Sequence, residues 1–122
     1  MKKRIPLLLA IVMTMAMAVT GCGSKDQSSD SSDEFRVGME CGYAPFNWTQ
    51  ADDSNGAVQI EGSDEYAGGY DVEIAKKIAD GLGKKLVIVK TEWDGLVPAV
   101  QSGKIDAIIA GMSPTAERKK TI

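Results

Sequence analysis

Residues 68–90 read GGYDVEIAKKIADGLGKKLVIVK, in which a helical pattern is followed directly by a strand pattern. The apolar residues that recur at helical spacing are Val72, Ala75, Ile78, Ala79 and Leu82. Asp71 lies where an N-cap is expected, and Gly81 or Gly83 can end the helix in a left-handed conformation. The apolar run within residues 85–90 is typical of a strand that is covered on both faces. This stretch therefore predicts a helix that leads into a buried parallel strand.

Two further strands and one further helix complete the pattern. FRVGM at residues 35–39 and IDAIIA at residues 105–110 are short apolar runs that predict strands. WDGLVPAVQSGK at residues 93–104 predicts a shorter helix, and the polar, glycine-rich residues 49–69 contain one weaker strand candidate at residues 57–60. The alternation of strand and helix predicts an α/β fold with a parallel sheet built from right-handed crossovers.

The amino-terminal part of the chain carries the features of an export signal. The basic residues Lys2, Lys3 and Arg4 precede an almost unbroken apolar run at residues 5–19. That run is shorter than the roughly 18–20 residues that span a bilayer, and it has no polar face of the kind that a core helix shows. We therefore interpret residues 1–21 as a signal peptide.

Cys22 follows the signal directly. Residues 19–22 read VTGC and resemble the lipobox of bacterial lipoproteins, although the commonest pattern has leucine where Val19 stands. The alternative is ordinary cleavage, with Cys22 incidental. A cysteine that carries two or more acyl chains stays attached to a membrane. Residues 22–34 are then the lipidated cysteine and a flexible tether, because GSKDQSSDSSDE contains no apolar residue. Residues 35–122 remain for one domain.

The charge and cysteine content argue against several functions. Without residues 1–21, eleven basic residues face seventeen acidic ones, a net charge of about −6 that argues against nucleic acid as a partner. The chain contains no histidine, and Cys41 is its only cysteine besides Cys22. We therefore expect no metal site, no cofactor and no cysteine nucleophile, and we interpret Cys41 as a small, semi-buried side chain.

The predicted sheet directs attention to the segments that follow its strands, because open α/β sheets bind ligands beyond the carboxyl ends of their strands. These segments are residues 40–46, 91–94 and 111–118. Their side chains offer aromatic faces, a hydroxyl, an acid and a guanidinium, which suits a small zwitterion. The candidate ligand-binding side chains are Glu40, Tyr43, Phe46, Trp93, Ser113 and Arg118.

The segment GMSPTAER at residues 111–118 predicts a carboxylate site. Ser113 before Pro114 is a pattern for a helix N-terminus, whose free N–H groups attract anions. Arg118 can grip a carboxylate with two parallel hydrogen bonds. The alternative is that Ser113 and Pro114 merely cap a turn and that Arg118 is one of several exposed cations.

Four stretches in colinear order closely resemble one known family. YAPF, GGYDVEIAKKIADGLG, WDGLVPAVQSGKIDAIIAG and MSPTAERKKTI are similar to the amino-terminal lobe of the extracytoplasmic amino-acid-binding proteins of ABC importers, solute-binding family 3. The resemblance covers residues 35–122. It implies a periplasmic-binding-protein-like (type II) lobe with a mainly parallel sheet flanked by helices. The lipobox agrees, since such receptors are typically lipid-tethered in single-membrane bacteria.

The resemblance also implies roles for the candidate residues. The arginine of the family's T-x-x-R segment, here Arg118, holds the α-carboxylate of an amino acid together with Ser113. The carbonyl of Gly111 accepts from the α-amino group, and the aromatic rings of Tyr43 and Trp93 flank the ligand's side chain.

Glu40 bears on which amino acid is bound. The corresponding position is often acidic in family members that bind basic side chains; the alternative is that Glu40 caps a solvent-facing loop. Ala110 and Gly111 stand where some relatives carry serines, which removes possible side-chain contacts with the ligand.

The implied function is the substrate-binding component of an ABC-type amino acid transporter. It would be anchored by lipid on the extracytoplasmic face of the cell membrane, monomeric, non-enzymatic and without a cofactor, and it would deliver its ligand to a membrane permease. The alternatives are a sensory ligand-binding lobe of a receptor and a dehydratase-like enzyme on the same fold.

The family closes two lobes over its ligand, and residues 35–122 match only the first lobe. We therefore expect a first lobe truncated before the second, with a bare sheet edge and weak ligand binding or none, because closure cannot occur.

Overall fold

The computed structural model describes residues 33–122. The predicted signal peptide at residues 1–21, the predicted lipidation at Cys22 and nearly all of the predicted tether lie outside the described residues. Within residues 33–122, no helix is both long enough and apolar enough to cross a bilayer.

Short strands and three α-helices alternate along residues 33–122. The strands are β1 Glu34–Met39, β2 Gly42–Tyr43, β3 Asn47–Gln50, β4 Val58–Gln59, β5 Tyr66–Gly68, β6 Lys85–Lys90 and β7 Ala107–Ile108. The helices are α1 Tyr70–Leu82, α2 Trp93–Gln101 and α3 Arg118–Thr121, with a 3-10 turn at Ser54–Gly56. The predicted strands at residues 35–39 and 85–90 and both long helices are confirmed, and β1 begins one residue earlier than predicted.

The sheet that carries the fold is parallel, in the order β6-β1-β7. Val37 of the central strand pairs with Ile88 on one side and Ala107 on the other. The predicted α/β class with a parallel sheet is therefore confirmed. The third strand, Ala107–Ile108, is shorter than the predicted residues 105–110. Just before it, the Asp106 carboxylate accepts the backbone N–H of Arg36 at 2.8 Å.

Each long helix has its own side of the parallel sheet. In β6, Ile88 belongs to the apolar cluster that contains Val72 and Ala75 of α1. Its neighbours Val87 and Val89 belong to a second cluster, with Ala99 of α2 and Ile105. Alternate side chains of a strand point to opposite faces, so β6 is covered on both, as its continuous apolar sequence predicts.

A second, antiparallel sheet was not predicted. It has the order β2-β3-β5-β4 and includes the weak strand candidate at residues 57–60 as β4. It joins the parallel sheet through a bridge between Ile60 and Ile88, and the Glu61 N–H donates to the Ile88 carbonyl at 2.9 Å. Its strands are two to four residues long and rich in polar residues, so their periodicity is too short to detect.

Helix α1 begins at Tyr70, so the prediction of Asp71 as its N-cap is wrong. Gly69 is the N-cap, with φ 122° and ψ 179°, and no side chain caps the helix. Two of the terminal N–H groups, those of Tyr70 and Asp71, instead donate to the carbonyls of Pro45 and Phe46 at 3.2 and 2.8 Å. The helix ends at Gly83 in the left-handed conformation, as predicted.

Candidate functional site

The parallel sheet brings the three predicted segments to one edge. β1, β6 and β7 are parallel, so residues 40–46, 91–94 and 111–118 all follow the carboxyl ends of neighbouring strands. The Thr91 N–H donates to the Met39 carbonyl at 3.0 Å, which joins two of these exits directly. The edge can therefore hold one small ligand between several loops.

Residues 41–47, which we call the aromatic loop, form one side of this edge. The rings of Tyr43 and Phe46 stack with centroids 5.1 Å apart, and Tyr70 meets Phe46 edge-on at 6.4 Å. The turn closes with a hydrogen bond from the Phe46 N–H to the Tyr43 carbonyl at 2.9 Å, across a cis Ala44–Pro45 peptide. Tyr43 is 50% exposed, so the stacked pair presents an open aromatic face.

The aromatic loop is fastened to the body of the domain at both ends. At its start, the Thr49 hydroxyl donates to the Cys41 carbonyl at 2.9 Å, and the Lys90 ammonium donates to that hydroxyl at 3.2 Å. At its end, the carbonyls of Pro45 and Phe46 accept the N–H groups of α1 described above.

Cys41 lies at the buried start of this loop. It is 3% exposed and has φ 56°. Burial raises the pKa of the Cys41 thiol to about 11, and the nearby Lys90 charge opposes this only in part. The thiol is therefore protonated at neutral pH. Among residues 33–122, no three His, Cys, Asp or Glu side chains are grouped so that they could hold a metal ion.

Residues 111–118, which we call the arginine segment, form the other side. The Arg118 guanidinium lies over the Trp93 ring, with Cζ 5.3 Å from the ring centroid. Its Nη1 donates to the Ser113 carbonyl at 2.9 Å. Stacking and one hydrogen bond therefore orient the guanidinium and leave its other N–H groups available for an acceptor.

The predicted helix start at Ser113 and Pro114 is wrong. α3 begins at Arg118 and has four residues, and the Arg118 N–H donates to the Thr115 hydroxyl at 3.1 Å. Thr115 thus supplies the local side-chain acceptor that the sequence suggested for Ser113. The backbone carbonyl of Ser113 accepts a hydrogen bond from Arg118, and Ser113 is exposed to solvent.

Gly111 connects the two sides. It has φ 62°, and a Cβ placed on it would lie 3.2 Å from Cε1 of Tyr43 and 3.7 Å from Cγ of Phe46. A side chain at this position would therefore adopt an unfavourable backbone conformation and press on the stacked aromatic pair.

Glu40 lies at the same carboxyl edge of the sheet. It is half-buried and directly follows β1. Within residues 33–122 its carboxylate makes no hydrogen bond or ion pair to another residue. Its predicted contact with a ligand side chain stays a prediction.

Two concavities lie at opposite edges of the parallel sheet. One of about 180 Å³ is lined by Met112, Ser113, Pro114 and Arg118, beside the arginine segment. A larger one, of about 500 Å³, lies at the amino end of β1 and β6, where Glu34 and Lys85 line it. The lining of the smaller concavity includes Arg118 but none of the candidate aromatic residues. We place the candidate site at the same carboxyl edge, where Arg118 lies over Trp93 and Gly111 lies against Tyr43 and Phe46.

The comparisons with known proteins agree with this geometry. Residues 35–122 match the model of the bacterial extracellular solute-binding proteins, family 3. The chain belongs to this family. Members of family 3 are extracellular or periplasmic solute-binding proteins.

Named relatives in family 3 are amino-acid-binding proteins. The chain is 32% identical over 123 residues to the arginine-binding extracellular protein ArtP of Bacillus subtilis, a match that covers 100% of this chain and 42% of ArtP. The chain thus spans about two fifths of the length of that curated relative.

Solved structures of the family share the fold. The arginine-bound form of domain 1 from TmArgBP matches with a TM-score of 0.59 and 40% identity, covering 74% of this chain and 62% of that one. The ancestral amino-acid-binding protein AncCDT-1, described as a precursor of cyclohexadienyl dehydratase, matches with a TM-score of 0.58 and 40% identity, covering 74% and 35%.

Two buried polar residues near the aromatic pair, Asn47 and Asp71, were not predicted as site residues. Asn47 is 0% exposed and Asp71 is 4% exposed, and their side chains bond to each other at 2.8 Å. A possible signal was the strongly polar residue directly after the PF of YAPF. Asn47 begins β3 of the antiparallel sheet. Because that sheet was not predicted, the burial of Asn47 could not be predicted either.

Proposed function

We propose that this chain is the substrate-binding component of an ABC-type amino acid transporter and binds an α-amino acid at the carboxyl edge of its parallel sheet. The observation that carries the proposal is the Arg118 guanidinium, oriented by Trp93 and Ser113 toward the edge that also presents Tyr43 and Phe46. The free N–H donors of Arg118 suit the α-carboxylate of an amino acid, and the neighbouring aromatic rings suit its side chain.

The ligand's α-carboxylate accepts two parallel hydrogen bonds from Arg118. Its α-amino group donates to the Gly111 carbonyl, and Ser113 adds a hydroxyl contact. The ligand side chain then lies against Tyr43, Phe46 and Trp93. This arrangement uses every residue that the sequence marks as a site candidate except Glu40.

We propose a cationic side chain for the ligand. Glu40 supplies a negative charge at the same edge, and charge complementarity favours a guanidinium or ammonium group there. ArtP and TmArgBP are arginine-binding proteins by name, which supports this choice. Glu40→Gln should weaken arginine binding by at least about fivefold and leave glutamine binding unchanged within about twofold. Equal losses for both ligands would contradict a specificity role.

Binding rather than catalysis is the proposed activity. Acid–base chemistry needs a positioned group whose proton affinity is matched to the reaction. Of the proposed site residues only Glu40 is an acid, and the chain contains no histidine. AncCDT-1 is itself an amino-acid-binding protein by its description, although it is a precursor of a dehydratase.

Export and membrane attachment complete the proposal. Residues 1–21 act as a lipoprotein signal peptide, Cys22 carries the lipid, and residues 22–34 tether the domain so that it delivers its ligand to the permease as a monomer. Radiolabelled palmitate should be incorporated into the wild-type chain and not into Cys22→Ser. Release of soluble protein by both forms would contradict the anchor.

The experiment that tests the function is a titration of the purified chain with each of the twenty amino acids, followed by calorimetry or by NMR chemical shifts. We expect arginine to bind best and binding to be weaker than in two-lobe relatives, because a second lobe adds contacts on closure. A folded chain that binds no amino acid, even when fused to a family second lobe, would overturn the proposal. Submicromolar binding by residues 1–122 alone would contradict the expectation of weaker binding.

A further inference from the structure

Asn47, the last residue of the aromatic loop, forms a buried polar pair with Asp71 of helix α1. Asn47 is 0% exposed and Asp71 is 4% exposed, in a region where polar side chains need partners. Asn47 Nδ2 donates to Asp71 Oδ2 at 2.8 Å, and Asn47 Oδ1 accepts the Gly42 N–H at 3.3 Å. One amide side chain therefore links the start of the aromatic loop to helix α1.

Asp71 also holds the far end of the same loop. Its backbone N–H donates to the Phe46 carbonyl at 2.8 Å, while its carboxylate accepts from the adjacent residue, Asn47. Asp71 thus bonds to Phe46 through its backbone N–H and to Asn47 through its carboxylate. Gly69 permits this approach, because a Cβ there would lie 2.4 Å from the Phe46 carbonyl oxygen.

From this geometry we infer that Asn47 and Asp71 are positioning residues that set ligand selectivity by fixing the Tyr43–Phe46 stack. The inference rests on the proposed function, in which that stack contacts the ligand's side chain. Neither residue bonds to Arg118, whose orienting partners are Ser113 and Trp93. Loosening the pair therefore moves the surface that meets the ligand's side chain and leaves the carboxylate contacts in place.

The test compares a ligand that reaches the stack with one that does not. The full chain and its variants are titrated by NMR with arginine and with alanine, whose methyl side chain is too short to cover the rings. We expect Asn47→Ala and Asp71→Ala to weaken arginine binding by about tenfold, a typical coupling between contacting residues. Alanine binding should change by less than about twofold, so the arginine-to-alanine ratio falls.

Two further variants separate positioning from stability. Asp71→Asn retains an oxygen acceptor for Asn47 Nδ2 and should keep most of the wild-type ratio. Ala79→Gly lies near the other end of α1, lowers stability without touching the loop, and should leave the ratio unchanged. Should the alanine variants fail to fold, Asn47→Ser, which is too short to span Gly42 and Asp71, replaces them in the same comparison.

The outcomes distinguish this inference from the proposed function. If the wild-type chain binds arginine but the ratio is unchanged in folded Asn47 and Asp71 variants, the positioning role is wrong and the binding function stands. Equal losses for arginine and alanine also contradict the positioning role. If the wild-type chain binds neither ligand, with or without a second lobe, the proposed function fails instead.

Discussion

The aromatic loop and the arginine segment face the same edge but are held in different ways. The aromatic loop bonds to distant parts of the chain: its Pro45 and Phe46 carbonyls accept N–H groups of α1, and its buried Asn47 side chain donates to the Asp71 carboxylate. The arginine segment bonds mainly to itself, through the Ser113 carbonyl and the Thr115 hydroxyl, and adds one aromatic contact at Trp93.

This difference separates two kinds of contribution to one site. Bonds between distant, buried elements form only when the domain folds, so the aromatic loop contributes to stability and, in the proposed function, also to binding. Local, exposed bonds contribute little to folding, so the arginine segment can change without loss of the fold. Substitutions on the two sides should therefore have different signatures.

The largest expected effect comes from Arg118→Ala, which breaks the locally held side. Loss of a hydrogen-bonded charge pair to the ligand carboxylate should cost at least about 2 kcal/mol, or roughly thirtyfold in affinity. Thermal unfolding should be nearly unchanged, because the bonds of Arg118 are exposed. Calorimetry and a melting curve measure the two quantities, with the nearby exposed Lys120→Ala as the control. A large fall in melting temperature would show that the two sides are not separable.

Gly69→Ala should lower the stability of the protein by disturbing the contact between the aromatic loop and α1. A side chain there must adopt a conformation that is essentially restricted to glycine, which costs about 1–3 kcal/mol, and it also meets the Phe46 carbonyl. Denaturant unfolding should report this loss. Gly81→Ala is the matched control in the same helix: its Cβ would meet no atom within 4 Å, and it should stabilise the protein by about 0.5–1 kcal/mol. Equal effects of the two substitutions would contradict the role given to Gly69.

The buried Cys41 thiol should make the stability contribution of the aromatic loop depend on pH. Its pKa of about 11 in the folded protein lies above the ordinary value of 9.0, so its contribution to stability is complete below pH 9 and is lost as pH rises toward 11. At pH 10 the loss should be about 1 kcal/mol. The measurement is the unfolding free energy at pH 8 and pH 10, wild type minus Cys41→Ala, so that other titrating groups cancel. A difference that does not change with pH would place the thiol in solvent.

The smallest effect on stability is expected at an ion pair that lies outside both the aromatic loop and the arginine segment. Arg36 bonds to both carboxylate oxygens of Glu61, at 2.9 and 2.7 Å, and these hydrogen bonds lower the pKa of Glu61. The stabilisation is therefore present above the ordinary pKa of a glutamate and is lost as pH falls through the lowered value. Because the Glu61 side chain is exposed, Glu61→Gln should cost less than about 1 kcal/mol at pH 7, and this cost should shrink as the pH falls below the ordinary glutamate pKa of 4.5. The measurement is the free energy of unfolding at pH 7 and pH 3, with Asp64→Asn as the control. A larger loss at pH 3 than at pH 7 would contradict the predicted direction of the pKa effect.

The parallel sheet could be predicted because its signals are long. Six-residue β6 and thirteen-residue α1 each contain enough positions for an apolar pattern, and the alternation of strand and helix then limits the topology. The antiparallel sheet could not be predicted, because two-residue strands such as β2 have no period. Their pairing depends on residues far away in the chain.

The candidate site divides in the same way. The placement of Arg118, Trp93 and Tyr43 at one edge could be predicted because their segments follow the carboxyl ends of parallel strands; their roles in binding stay predictions. The start of α3 was misplaced because Ser113 and Thr115 are both competent local acceptors, and sequence does not decide between them. The Asn47–Asp71 pair was missed because burial of polar groups follows from tertiary structure. Asp71 also had a simpler interpretation as a helix cap.

The contacts of Arg118 have a consequence for the entropy of binding. A free arginine side chain loses up to about 2 kcal/mol of rotational freedom when it is ordered. Here the Trp93 ring and the Ser113 carbonyl restrict those rotations before any ligand arrives. The ordering cost is therefore incurred when the segment folds, and a carboxylate that reaches the remaining donors meets a guanidinium whose orientation is already set.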